Sequence, residues 1–230
     1  MARSKRYKKL ESKVDKTKIY DIDEAFKALK DLASAKFDEA VEVHVKLGID
    51  ASKADQAIRG MVSLPNGTGK TKKIAVFAES AKGEEAKKAG ADIVGGEDLI
   101  AKIKQTGKIE FDIAVATPDM MKKLAPIAKI LGPKGLMPSP KTETVTMDIA
   151  KVVGELKKGK AEFRSDDSGN VHISIGKISF DPAKLRENFI EFLSTLKNTR
   201  PAATKGEFIK GAAISTTMGP SLKVNFSVKK

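Results

Sequence analysis

Hydrophobic periodicity changes twice along this 230-residue chain, and the two changes restrict the fold more than any other feature. Val41, Val43, Val45, Leu47 and Ile49 alternate with Glu42, His44 and Lys46, the pattern of a strand with one buried face. Ile58, Val62 and Leu64 continue it until Pro65-Asn66-Gly67 breaks the chain direction. Beyond Gly67 the strands become continuous apolar runs, Ile74–Ala78 and Phe111–Ala116, as expected of strands buried on both faces. Helical stretches at about 82–90, 99–104 and 148–157 separate them, with Pro118 opening another helix, so βαβ units and a parallel sheet are predicted.

After Lys160 the half-buried pattern returns. Glu162-Phe163-Arg164 and Val171–Ile175 flank Asp167-Ser168-Gly169-Asn170, which reads as a hairpin turn. Asp181-Pro182 starts a helix with Leu185, Phe189, Phe192, Leu193 and Leu196 as its stripe, and strands at about 208–216 and 222–228 close the chain. Neither outer segment has enough strands for a sheet of its own. The expected fold class is α/β: a discontinuous α+β domain (1–66 and 160–230, mostly antiparallel) with an inserted Rossmann-like parallel α/β domain (67–159). Two consecutive domains are the alternative.

The net charge is +13, distributed unevenly. Residues 1–18 and residues 197–230 each carry +6, leaving the middle nearly neutral. Brought together, the two ends make a surface for a polyanion, nucleic acid before membrane. There is no cysteine, so disulfides and thiolate metal sites are excluded. His44 and His172 are far apart in sequence and read as strand-face residues, not metal ligands. The basic N-terminus leads into no apolar stretch, so a cytoplasmic chain is expected, without a membrane partner.

An enzyme reading finds no support in the residues. Gly67-Thr68-Gly69-Lys70-Thr71 imitates a phosphate loop, but Leu64 stands where that loop needs glycine and a strand follows where it needs a helix. Asp166 and Asp167 are adjacent, so on a strand they point to opposite faces. A nucleotide-binding enzyme built on the inserted domain is kept as the alternative function. Ser215-Thr216-Thr217-Met218-Gly219-Pro220 instead offers hydroxyls on a tight turn, suited to sugar and phosphate oxygens. Arg164, His172 and Ser174 fall on outward positions of the hairpin and can reach phosphate or 2′-hydroxyl groups. Lys36-Phe37 pairs a cation with an aromatic ring at the entrance to the first strand. Leu131 to Lys141, with three prolines and two glycines, predicts a rigid basic loop facing solvent.

Ser4-Lys5-Arg6-Tyr7, Leu64–Lys70, Leu131–Pro138 and Ser215–Pro220 occur in the order and spacing of the bacterial large-subunit ribosomal protein L-one family, which the whole chain resembles. The resemblance implies the discontinuous domain with its insert, no cofactor, and a monomer when free. It implies binding to a large-subunit ribosomal RNA junction in the mobile stalk, near exit-site transfer RNA, and repression of translation from the chain's own messenger RNA. The RNA-site positions it implies are Lys36, Phe37, Arg164, Asp166, Thr217, Met218 and Gly219, with weaker contacts from Lys134 and Gly135. Gly211 and Ala40 stand where many relatives have polar residues.

Overall fold

A computed structural model describes residues 4–226 other than 16, 52, 54 and 205, and only the backbone at 80, 81 and 141. In chain order the elements are α1 (Lys5–Glu11), α2 (Ile22–Leu32), β1 (Ala40–Leu47) and β2 (Arg59–Ser63). Next come β3 (Ile74–Phe77), α3 (Ser80–Lys88), β4 (Ile93–Gly95), α4 (Glu97–Thr106), β5 (Ile113–Ala116), α5 (Pro118–Leu124), α6 (Ala128–Leu131) and α7 (Ile149–Lys158). The chain ends with β6 (Lys160–Arg164), β7 (Asn170–Lys177), α8 (Pro182–Asn198), β8 (Ile209–Thr216) and β9 (Leu222–Val224). They gather into two compact units, residues 1–69 with 161–230, and residues 70–160.

In the first unit a sheet of order β7-β1-β8-β9 is antiparallel throughout. Alternation in β1 sends Val41, Val43, Val45 and Leu47 into the core and leaves Glu42, His44 and Lys46 on the other face. The core side is covered by α2 and α8. Asp181 caps α8 by accepting from the Ala183 amide, and Pro182 occupies the first turn, where its missing N–H costs nothing. Phe26 meets Phe189 edge to face at 6.0 Å, and Phe163 meets Phe192 at 5.7 Å. The whole predicted stripe of α8 is buried. Tyr20 extends the sheet beyond β9: its amide donates to the Lys223 carbonyl, and its carbonyl accepts from the Asn225 amide.

The hairpin expectation requires correction. The turn after Asp166 forms, with Gly169 at φ +75°, but its arms separate. β6 pairs with β2 in a two-stranded sheet, while β7 pairs with β1, and the isolated bridge Ser165–Val171 joins them. The Ser165 amide donates to the Ile58 carbonyl, continuing the pairing of β6 with β2. The last strand ends at Val224, short of Asn225 and Phe226, and the remainder of its expected extension, to Val228, lies outside the described residues.

In the second unit β3 lies between β4 and β5 in a parallel sheet, and all of Ile74–Phe77 is buried, as the continuous apolar run requires. Phe77 packs edge to face on Phe111, and Met120, Leu124, Ile127 and Leu131 join the same core.

Candidate nucleic-acid interface

A buried carboxylate organises one end of the four-stranded sheet. Glu39, 1% exposed, precedes β1. One oxygen accepts from the amides of Ser34 (3.3 Å) and Ala35 (3.1 Å), and the other accepts from the Met218 amide at 2.9 Å. Burial raises its pKa, but the Met218 amide first, then the neighbouring Thr216 hydroxyl and the Ala35 and Ser34 amides, outweigh burial and hold the carboxyl below its ordinary value. Segments 34–37 and 217–219, remote in sequence, are thereby fixed side by side. Both present apolar groups to solvent: Phe37 is 55% exposed and Met218 45%. Lys36 and Thr217 are exposed beside them. From α1, Arg6 donates to the Ser34 hydroxyl (2.7 Å) and to the Met218 carbonyl (3.0 Å), placing a guanidinium on the same patch.

Thr217 is tied inward as well. Its amide donates to the Ala40 carbonyl at 3.1 Å, and its hydroxyl oxygen accepts from the Ala40 amide at 3.0 Å. Gly219 makes the turn possible, because a Cβ there would lie 2.4 Å from Thr216 Oγ1. Thr216 itself must be removed from the expected surface. Strand alternation carries Ala212, Ile214 and Thr216 to the core side, where Thr216 is buried, and turns Ser215 outward.

The outer face of the sheet follows from register. Glu42 stands between Ser174 and Ser215, His44 between His172 and Ala213, and Lys46 between Asn170 and Gly211. The histidines that sequence distance separates are neighbours across β1 and β7, with Nδ1 atoms 2.8 Å apart. His44 Nε2 lies 3.0 Å from Ser215 Oγ, and His172 Nε2 lies 3.4 Å from Asp166 Oδ2. The small side chains at Gly211 and Ala213 leave a groove of about 830 Å³ beside this row, edged by Lys46, Lys210 and Lys223.

Two of the expected contacts have internal duties. Asp166 accepts from the amides of Ser168 and Asn170 and from the Asn170 side chain, bonds that lower its pKa to about 2. It is chiefly the organiser of the turn. The Ser174 hydroxyl is covered, so it is not a free surface donor; register places it against Glu42. Arg164 is exposed on the outward side of β6.

In the second unit the glycine-proline stretch is a helix stop before it is a loop. The Leu136 amide donates to the Leu131 carbonyl and the Gly135 amide to the Gly132 carbonyl, with Gly135 at φ +69°. These are the two bonds of a Schellman C-cap. Gly132–Gly135 is exposed and offers Lys134 to solvent, whereas Leu136 and Met137 pack on the core and Pro138 is buried. The expectation of a wholly solvent-facing loop therefore holds for its first half alone. Gly135→Ala meets no steric contact but must adopt a left-handed backbone, so a loss of about 1 kcal/mol in urea denaturation is expected.

The carboxyl ends of β3 and β4, where open α/β sheets bind ligands, do not suit a nucleotide. The hollow there is lined by Glu79, Glu84, Glu97 and Asp98. Lys123 is already paired with Glu79 and Glu97. Carboxylates occupy the positive helix ends that a phosphate would need.

Arg6, Glu39, His44 and Lys46 all belong to the arrangement, and sequence reasoning assigned none of them. Arg6 sat in a recognised motif; Glu39 has two local partners, Ser34 and Ala35, but the Met218 amide that makes it a junction lies 179 residues away.

The profile of the ribosomal protein L1p/L10e family matches residues 29–220. Large ribosomal subunit protein uL1 of Fervidobacterium nodosum is 53% identical over 98% of this chain and 96% of its own length. The proteins of that name from Thermosipho melanesiensis (96% of both chains) and Mycoplasma capricolum (97% of this chain, 98% of its own) are each 54% identical. The chain is a member of the ribosomal protein L1p/L10e family, and the enzyme alternative falls away.

Proposed function

We propose that this chain is a structural constituent of the large ribosomal subunit, acting in the cytoplasm, and that it holds a folded junction of large-subunit ribosomal RNA on the patch around Glu39. The observation that carries the reading is the convergence on one buried carboxylate of two segments that expose Lys36, Phe37 and Met218, with Arg6 of α1 bonded to both. An aromatic ring and a thioether can pack on sugars or bases, while lysines and arginine attract phosphates without regard to sequence. Lys5, Lys8 and Lys9 of α1 are exposed beside Arg6 in the chain and add to that attraction.

Binding of a large-subunit ribosomal RNA stalk fragment, followed by fluorescence anisotropy across a salt series, tests this. Affinity should fall steeply and linearly on a log–log plot. Met218→Ala should weaken binding by about 1–2 kcal/mol with stability unchanged, because Met218 binds Glu39 through its amide, not its side chain. Thr217→Val should weaken binding similarly and also lower stability by about 1 kcal/mol, because the Ala40 amide loses its partner. Parent-like affinity for both variants would refute the site.

Following the resemblance, we extend the reading to the chain's own messenger RNA, bound on the same face and thereby repressed, and to exit-site transfer RNA near the stalk. One surface serving two RNAs makes a simple prediction. The ribosomal fragment added to a cell-free translation reaction should relieve repression of the chain's own message.

A further inference from the structure

The hydrogen positions along Ser215, His44, His172 and Asp166 follow from a single constraint. The Asp166 carboxylate takes three bonds from the turn it organises, so it is ionised at neutral pH and can only accept. His172 Nε2, 3.4 Å away, must therefore carry hydrogen, which leaves Nδ1 of the neutral ring as a lone pair. His44 Nδ1, 2.8 Å from that lone pair, must then carry hydrogen, so His44 Nε2 is a lone pair. Ser215 Oγ, 3.0 Å from it, must donate. The neutral array has one possible direction, from Ser215 through both rings to Asp166.

One added proton changes it in one way. A hydrogen still lies between the two Nδ1 atoms, and His44 Nε2 now carries a hydrogen of its own. Ser215 switches from donor to acceptor toward His44, and its hydroxyl hydrogen is free to turn outward. A second proton would set two N–H groups head to head across 2.8 Å, so the pair takes one. We propose that the His44–His172 pair is a one-proton switch on the outer sheet face, adding a single positive charge and releasing the Ser215 hydroxyl to donate to a phosphate oxygen of bound RNA. This rests on the RNA-binding reading above.

The surroundings leave that role to the imidazoles. Glu42 and Lys46 flank His44 on β1, Asp166 closes the array at the turn before β7, and Lys223 of β9 pairs across Ala213. Asp21 and Lys210 line the groove. Carboxylates and ammonium groups do not ordinarily change charge between pH 5.5 and 7.5; imidazoles do. Burial first, then the neighbouring His172, lower the pKa of His44, with Glu42 opposing, so the free protein resists the proton near neutrality. RNA phosphates favour it. The bound state then holds more protons than the free state, and affinity must rise as pH falls.

The test uses the full chain and the same ribosomal RNA fragment at fixed salt. Between pH 7.5 and 5.5 affinity should tighten about five- to ten-fold, the scale of a one-unit pKa change on binding, and His44→Gln, which removes the nitrogen that gains the hydrogen beside Ser215, should abolish most of that slope. Histidine C2–H signals followed by NMR in the free protein should report uptake of one proton shared by the pair. Two independent titrations, or an unchanged slope in His44→Gln, would overturn the switch while leaving the RNA reading intact. Absence of binding at every pH would instead overturn the RNA reading, and the switch with it.

Discussion

Replacing Glu39 by alanine is expected to lower stability by about 3–5 kcal/mol and RNA affinity by about a hundred-fold or more, the largest functional effect of any single change in this chain. Three amides, those of Ser34, Ala35 and Met218, lose a buried, ionised acceptor together. A hydrogen bond to a charged group contributes about 1.5–3 kcal/mol, and loss of all three is less than additive because the freed segments can reach water. The affinity loss has a separate origin. Phe37 and Met218 are exposed, so RNA binding depends on their being held at a fixed separation before RNA arrives, and the carboxylate holds them. Glu39→Gln keeps the shape and one acceptor oxygen and should lose about 1–2 kcal/mol. Urea denaturation and anisotropy on all three proteins would decide it. An alanine variant within 1 kcal/mol and two-fold of the parent would remove Glu39 from its central place.

The same carboxylate gives the unit an acid limit. Its pKa in the folded state is lowered, so its contribution is complete above the unfolded carboxylate range and is lost as pH falls through the folded value. Asp166, at about 2, follows the same sign, and its contribution is lost progressively as pH falls from the ordinary aspartate range toward that value. Stability of Glu39→Gln should accordingly decline less between neutral and acid pH than that of the parent, while the Asp166 contribution falls equally in both.

What the sequence revealed was periodic, and what it concealed was long-range. The alternation in β1, the buried runs of β3 and β5 and the stripe of α8 are local patterns, and each lies in the structure where its period puts it. Gly135 was legible as a backbone special, though its part in a helix cap was not. The His44–His172 contact spans 128 residues and Arg6 to Met218 spans 212, distances over which no spacing rule operates. Two errors had physical causes within reach. Reading Ser215, Thr216 and Thr217 as one hydroxyl surface ignored the parity of β8, which must bury one of any adjacent pair. Reading Asp167–Asn170 as an ordinary hairpin turn identified the turn chemistry correctly, but β6 takes β2 as its partner, a strand that lies about a hundred residues upstream and that no local pattern names.

Asn188→Leu is expected to cost about 3–5 kcal/mol of stability, comparable to Glu39→Ala, and to leave RNA affinity of the folded protein within about two-fold. Asn188 is completely buried in α8. Its amide nitrogen donates to the carbonyls of Gly67 (3.0 Å) and Ile175 (2.7 Å), and its oxygen accepts from the Asn66 amide (3.1 Å). One side chain thus satisfies three backbone groups where the chain turns at Pro65-Asn66-Gly67 against β7. Leucine keeps the branched skeleton of the side chain and satisfies none of them, and each unpaired buried group costs about 1–3 kcal/mol. Asn188→Asp separates the causes. An ionised carboxylate facing two carbonyls is repelled by both, so this variant should be the least stable at neutral pH. Its folded-state pKa would be raised, and acidification should restore part of the loss by supplying one donor hydrogen. None of these bonds touches Lys36, Phe37, Thr217 or Met218, so binding measured below the unfolding transition should persist. Denaturation profiles of the leucine variant that match the parent, or RNA binding lost in the still-folded variant, would contradict the separation of scaffold from recognition surface drawn here.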